Sequence, residues 1–237
     1  MSTLHEWLGA GAAPEADWPA HVRRLAARGA LGWGAAGLLL DLPALGQPHA
    51  CRPSGCAPGF RGAGARSCCA DLDVEPSASE AAAIDAALPE VAAFLATRDP
   101  RWSGGPPPWL ERGVFTRPGG RCVFATPAAA GLSCGLHALE AATDRARGTL
   151  KPMPCRLFPL VVVDLGDDTL LLTAVHGSTA RYTGLPARRF PCLVGGEPTT
   201  LARAAEDTLA ELWGAPTARR ILRAVGSRPR PPAATYP

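Results

Sequence analysis

The residues of this chain best placed to do chemistry are its 8 cysteines. They run Cys51-x4-Cys56-x11-Cys68-Cys69, then Cys122-x11-Cys134-x2-His137, then Cys155, then Cys192. Thiolates hold zinc or iron strongly, and an imidazole can fill one position of such a set. Eight thiols are too few for a disulfide scaffold over 237 residues, and too many to be chance. None of the spacings is the paired C-x2-C of a zinc ribbon, so spacing points to ligation without choosing the metal. Zinc or iron is one outcome. An iron–sulfur cluster, which takes four thiolates and would leave spare ones, is the other.

Each candidate carries a plainer alternative. Free cysteine is often a small buried hydrophobe, and Cys192, followed by Leu193 and Val194, fits that role as well as ligation. Adjacent Cys68 and Cys69 point to opposite faces if the segment is extended. Either two metal sites share it, or a turn brings both thiols to one cluster, or one is structural. His137 can share a site with Cys134 or stay a surface imidazole. Lys151 and Arg156 flank Cys155. A cation there would offset the charge of clustered thiolates and donate hydrogen bonds to them. Lys151 is the only lysine in a chain whose other basic residues are all Arg. His176 reads as structural or solvated. Asp71, Asp73 and Glu75 read as a solvated strand face rather than a hard-cation site. Gly59, Gly62 and Gly64 lack the Gly-Lys-Ser/Thr of a phosphate loop. No Ser-His-Asp or nucleophile-elbow pattern is present.

The elements that must position these residues are readable in part. Asp17 to Arg28 predicts a helix with Asp17 as N-cap and Trp18, Val22 and Leu25 on one face. Leu31 to Leu45 is apolar and ambiguous between helix and buried strand. Gln47 to Arg66, rich in Gly and Pro, predicts a loop that ligation could order. Asp71 to Glu75 alternates like a short half-buried strand. Ser77 and Glu80 form a capping box for a helix carrying Ile84, Leu88, Val91 and Leu95, which Pro89 should kink or divide. Arg121 to Thr126 predicts a strand bearing Cys122. A helix follows from about Leu136 to Arg147. Lys-Pro-Met-Pro-Cys-Arg-Leu-Phe-Pro-Leu holds Cys155 between prolines that fix the local backbone. Leu160–Leu165 and Leu170–Val175, joined at Gly166-Asp167-Asp168, predict a hairpin. His176 to Phe190 reads as loop. Leu201 to Leu212 is helical, and Pro216 can open one more helix to about Val225.

Composition sets the frame. The net charge is +3 and the arginines are dispersed, so no nucleic-acid stripe is expected. Glu6, Glu15 and Asp17 interrupt any secretory apolar region, and Leu38-Leu39-Leu40 is too short to span a bilayer. These features predict a cytoplasmic protein without membrane partners, where thiols stay reduced.

One resemblance is specific. A vicinal Cys68-Cys69 pair, an acidic segment and a Ser-x-x-Glu helix start make one half. Arg-Cys-Val-Phe, Cys-x-x-His and Lys-Pro-x-x-Cys-Arg-Leu-Phe-Pro-Leu make the other. In this order they resemble the YkgJ-type family of zinc- or iron-chelating domains, from about Cys51 to Leu160. The resemblance implies that Cys56, Cys68, Cys69, Cys122, Cys134 and Cys155 belong to a metal-binding set. Some relatives are described as lysine methylases acting on flagellin, which makes an enzymatic reading available by analogy. The sequence thus predicts an α+β fold, with helices around a small antiparallel sheet and a cysteine-lined metal site joining irregular loops. The expected organisation is an N-terminal helical segment (1–46), a cysteine-rich metal-binding domain (47–195), C-terminal helices packed on it (196–226) and a disordered tail (227–237). The expected function is chelation of zinc or iron through Cys51, Cys56, Cys68, Cys69, Cys122, Cys134, His137 and Cys155. The alternatives are an iron–sulfur enzyme, redox or methylase-like, and an interaction module whose metal is purely structural.

Overall fold

The computed structural model describes residues 17–50, 68–128, 131–194 and 199–227. In chain order they form α1 (Trp18–Ala27), β1 (Leu31–Ala35), β2 (Leu38–Asp41), α2 (Leu42–Leu45), α3 (Cys68–Asp71), α4 (Ala78–Ala96), β3 (Leu110–Glu111), β4 (Val114–Phe115), β5 (Ala125–Ala128) and β6 (Gly131–Cys134). Then follow α5 (Gly135–Ala142), α6 (Met153–Leu157), β7 (Leu160–Asp164), β8 (Leu170–Ala174), α7 (Ala180–Thr183), α8 (Leu201–Ala204) and α9 (Glu206–Gly226). The fold is α+β, with small sheets. No helix among the described residues is long and apolar enough to cross a membrane.

The chain divides into two compact units. Among the described residues, one holds 68–158 and 187–194, and the other 17–50, 159–186 and 199–227. The 160–174 hairpin groups with the N-terminal strands because β8 pairs with β2, not with the cysteine-bearing elements.

In the second unit the sheet order is β1-β2-β8-β7. The apolar run from Leu31 resolves as a hairpin. Gly37 supplies the turn with φ +72°, and a Cβ there would meet the Asp168 carbonyl oxygen at 2.5 Å, so only glycine fits. All four residues of β2 are buried, as suits a strand covered on both faces. Asp41 then starts α2 by accepting from the Ala44 amide at 3.2 Å. The β7–β8 hairpin forms where predicted, with positive φ at Gly166, Asp167 and Asp168. The sheet is mixed rather than antiparallel, because β2 and β8 run parallel from Leu38↔Leu170 to Leu40↔Leu172. Asp17 caps α1 through Ala20 at 2.9 Å, and the buried face is Trp18, His21 and Leu25, with the half-buried Val22 packed against the same cluster as Trp18. Residues 176–190 are not all loop, since α7 forms within them. Near the end, Gly214 breaks the helical backbone with φ +80° just before Pro216, as the second helix start predicts.

The first unit packs α4, α5 and two short hairpins around Ile84, Val91, Leu95, Trp102, Phe124 and Leu136. The capping box at Ser77 and Glu80 is complete. The helix runs through Pro89 without dividing, while Ile84, Val91 and Leu95 hold its inner face in the core. Asp71 to Glu75 is not a strand. Val74 is buried and its carbonyl accepts from Phe115 at 2.9 Å, outside any ladder. The strand expected at Arg121 begins only at Ala125, so Cys122 lies in the turn before it. The helix after Cys134 stops at Ala142, five residues earlier than the pattern suggested.

Candidate metal centre

Cys68 and Cys69 occupy α3, a short helical turn rather than an extended segment. Both sulfurs come to one side, 3.9 Å apart. Two thiolates on one tetrahedral zinc sit roughly 4 Å apart, given bonds near 2.3 Å, so this pair has the right separation. The Cys69 carbonyl accepts from the Cys122 amide at 2.6 Å, which ties the vicinal pair to the turn at residues 121–125. Cys134 ends β6 and stands opposite Ala125 in the register. Cys155 lies within α6. Cys122, Cys134 and Cys155 all pack, half-buried, against the same core.

The thiols act on one another. The hydrogen bond between the Cys68 and Cys69 thiols, opposed by burial and aided by the charge of Lys151, brings the Cys68 pKa down to about 7. Cys69 is raised well above the usual thiol value by its hydrogen bond to Cys68, then by burial and the charges of Cys68, Cys134 and Cys122. Burial first, and then the charge of Cys134, pushes Cys122 up to about 12. Burial likewise raises Cys134, opposed by Lys151. Cys155 is raised well above the usual value by burial and by Cys134 and Cys122, again opposed by Lys151. Five thiols and one ammonium therefore share one electrostatic neighbourhood. Among the described residues no group of three or more His, Cys, Asp or Glu side chains is gathered tightly enough to hold an ion. The donor chemistry fits a soft metal, and the vicinal pair fits its bond geometry; the remaining sulfurs are near without being closed around a point. Cys51 and Cys56 lie outside the described residues.

His137 is on α5 with its side chain 52% exposed, and Nδ1 is 3.5 Å from Oε2 of Glu140. A carboxylate on one ring nitrogen fixes the ring and leaves the other nitrogen available. The backbone N–H groups of Leu136 and His137 also lie near enough to the Cys134 sulfur to favour its thiolate, though no full cap hydrogen bond closes. Arg156 is buried in α6, and its guanidinium lies where a Cβ on Gly148 would be, 2.3 Å from Nη1. Of the two expected cations it is Lys151 whose charge acts on Cys68, Cys134 and Cys155. Cys192 sits half-buried on the 3-10 turn Pro191–Leu193.

Three carboxylates brace this arrangement, Glu140 and Asp99 buried and Glu80 half-buried, and sequence reasoning assigned only the capping role of Glu80. Glu80 does more than cap α4. One oxygen accepts from Ser77 at 2.9 Å and the other from the Met153 amide at 2.6 Å, at the start of the helix bearing Cys155. Glu140 accepts from Gly148, Leu150 and Lys151 amides at 3.1, 2.7 and 2.8 Å. Burial raises its pKa, but these amides outweigh it and hold the carboxyl low. They also fix the turn that delivers Lys151. Asp99, with no exposed side-chain surface, pairs with Arg101 at 2.8 Å and Arg121 at 2.9 Å. Arg101 in turn donates to the carbonyls of Pro118 at 3.1 Å and Val123 at 3.3 Å, and more weakly to Cys122. The turn holding Cys122 is thus wrapped around a guanidinium. Ser-x-x-Glu caps are visible in a sequence, but the second oxygen of a cap and an Asp-x-Arg pair carry no local signature.

Comparison of the chain with family models, curated proteins and solved structures finds no match.

Proposed function

We propose that this protein binds zinc or iron through clustered cysteine thiolates, with Cys68, Cys69, Cys122, Cys134 and Cys155 as the principal ligand set and Cys51, Cys56 and His137 as further candidates. The observation that carries the reading is the 3.9 Å separation of the Cys68 and Cys69 sulfurs, joined through the Cys69 carbonyl to Cys122. The mutual influence of five thiols and Lys151 supports it. The YkgJ-type resemblance belongs to the same proposal, as does a cytoplasmic site. A bound soft metal would neutralise thiolate charge and draw the sulfurs together. The chain itself contributes the vicinal pair on one turn, the Arg101-wrapped loop and the Lys151 ammonium beside the sulfurs.

Anaerobic purification followed by elemental analysis and visible absorption tests this. A colourless protein with stoichiometric zinc, or one with bound iron, supports it. A brown protein with sulfide would make the site an iron–sulfur centre and favour the enzyme alternative. A chain that retains no metal and acquires none from zinc or ferrous salt refutes the proposal.

A further inference from the structure

The second unit holds an arrangement that the thiols do not explain. Tyr182, on α7, is buried and stacks on Trp18 of α1 with centroids 4.8 Å apart. Two guanidiniums gather on the same ring, Arg24 with Cζ 5.7 Å from its centroid and Arg181 with Cζ at 4.6 Å. Arg181 also donates to the Tyr182 hydroxyl. A cation over an aromatic face is favourable, but two cations brought to one ring repel each other. Arg24 as a residue is only half-buried, yet its Nη2 is shut from solvent and has no hydrogen-bond partner among the described residues. A sequestered guanidinium N–H without an acceptor is costly. The carboxylate whose charge acts on Arg24, Asp17, is already engaged in capping Ala20 at 2.9 Å and lies 4.0 Å from Arg23. Burial and then the charge of Arg181 lower the Arg24 pKa, which fits a pair short of an anion.

We propose that Arg24 and Arg181, held on the Tyr182–Trp18 stack, form a binding site for a phosphate dianion, free or as a phosphomonoester. Arginine's planar fork suits the tetrahedral oxygens of phosphate, and two forks match a double negative charge better than a monoanionic carboxylate does. Fixing both guanidiniums against rigid rings lowers the ordering cost of recognition. Nothing in this site depends on the thiols, so it stands or falls apart from metal binding.

Isothermal titration of the full chain at physiological ionic strength tests it, with inorganic phosphate, phenyl phosphate and acetate as probes. Saturable binding of phosphate or phenyl phosphate at one site is expected, with acetate much weaker. Arg24→Gln and Arg181→Gln should each weaken it about tenfold or more, the usual effect of losing a charge-assisted pair. Arg23→Gln removes the same charge from an exposed side chain nearby and should leave affinity within about twofold. Preference for phenyl phosphate would identify an ester as the ligand, and equal affinity would identify the phosphate group alone; either supports the site. Absence of saturable binding, acetate binding as tightly as phosphate, or an equal loss in all three variants would overturn it. Arg181 is exposed, so its variant should fold, and circular dichroism verifies this.

Discussion

Glu80 offers the sharpest test of how the thiol-bearing segments are held. Its carboxylate joins two amides 76 positions apart in the chain, Ser77 at 2.9 Å and Met153 at 2.6 Å. Replacing it by Ala strands both donors. Met153 is fully buried, so its amide has little access to water in compensation. A hydrogen bond to a charged acceptor contributes about 1.5–3 kcal/mol when buried and nearer 1 kcal/mol when partly exposed. Glu80→Ala should therefore cost about 2–4 kcal/mol. Ser77→Ala removes only the hydroxyl side of the capping box, bonded to the Glu80 amide at 3.3 Å, and should cost about 1 kcal/mol. Ser77→Ala leaves both carboxylate bonds in place, so a loss in Glu80→Ala well beyond that of Ser77→Ala reports the two bonds the carboxylate accepts, of which the one to Met153 is the buried one. Urea unfolding followed by tryptophan fluorescence reads it. With a slope of about 2–3 kcal/mol per molar, Glu80→Ala should lower the midpoint of the cysteine-bearing unit by about 1 M, clearly more than Ser77→Ala does. Metal retention should fall with it, since Cys155 lies two residues after Met153. If Glu80→Ala costs no more than Ser77→Ala, the link between the two segments contributes nothing and the reasoning fails.

Three further outcomes are expected. Asp99, held at about 2 by burial opposed and outweighed by Arg101 and Arg121, has its pKa depressed below the unfolded value near 3.9. Its contribution is complete above about pH 4 and lost as pH falls towards 2, about 1–2 kcal/mol after allowance for solvent screening at the part-exposed arginines, and Asp99→Asn should flatten that part of the pH–stability curve. Cys155→Ser should lower the melting temperature of the metal-loaded protein more than Cys192→Ser does; equal losses, or a larger one for Cys192, reverse the ranking. Lys151→Met should speed metal loss to a chelator while circular dichroism stays unchanged, because its ammonium offsets the charge on Cys68, Cys134 and Cys155; an unaltered rate excludes that role.

Local chemistry made several elements legible from sequence alone. Asp17 before an apolar stripe, the Ser77-to-Glu80 box and Gly166-Asp167-Asp168 between β-branched runs each act within a few residues, and each formed as read. The thiol inventory was equally plain, because cysteine chemistry belongs to the residue. What the sequence could not decide was where an apolar or acidic group finds its distant partner. Leu31–Asp41 became two strands, with Gly37 passing against Asp168 at their turn, and the sheet became mixed because β8 entered beside β2. Cys122 left its predicted strand because Arg101 gathers the carbonyls around it. The two vicinal sulfurs came to one side because the segment coils rather than extends. A periodic pattern records which face of an element is buried, whereas a carboxylate or guanidinium with spare hydrogen-bonding capacity can satisfy it anywhere in the chain, so only the tertiary structure shows which amides and carbonyls it chose.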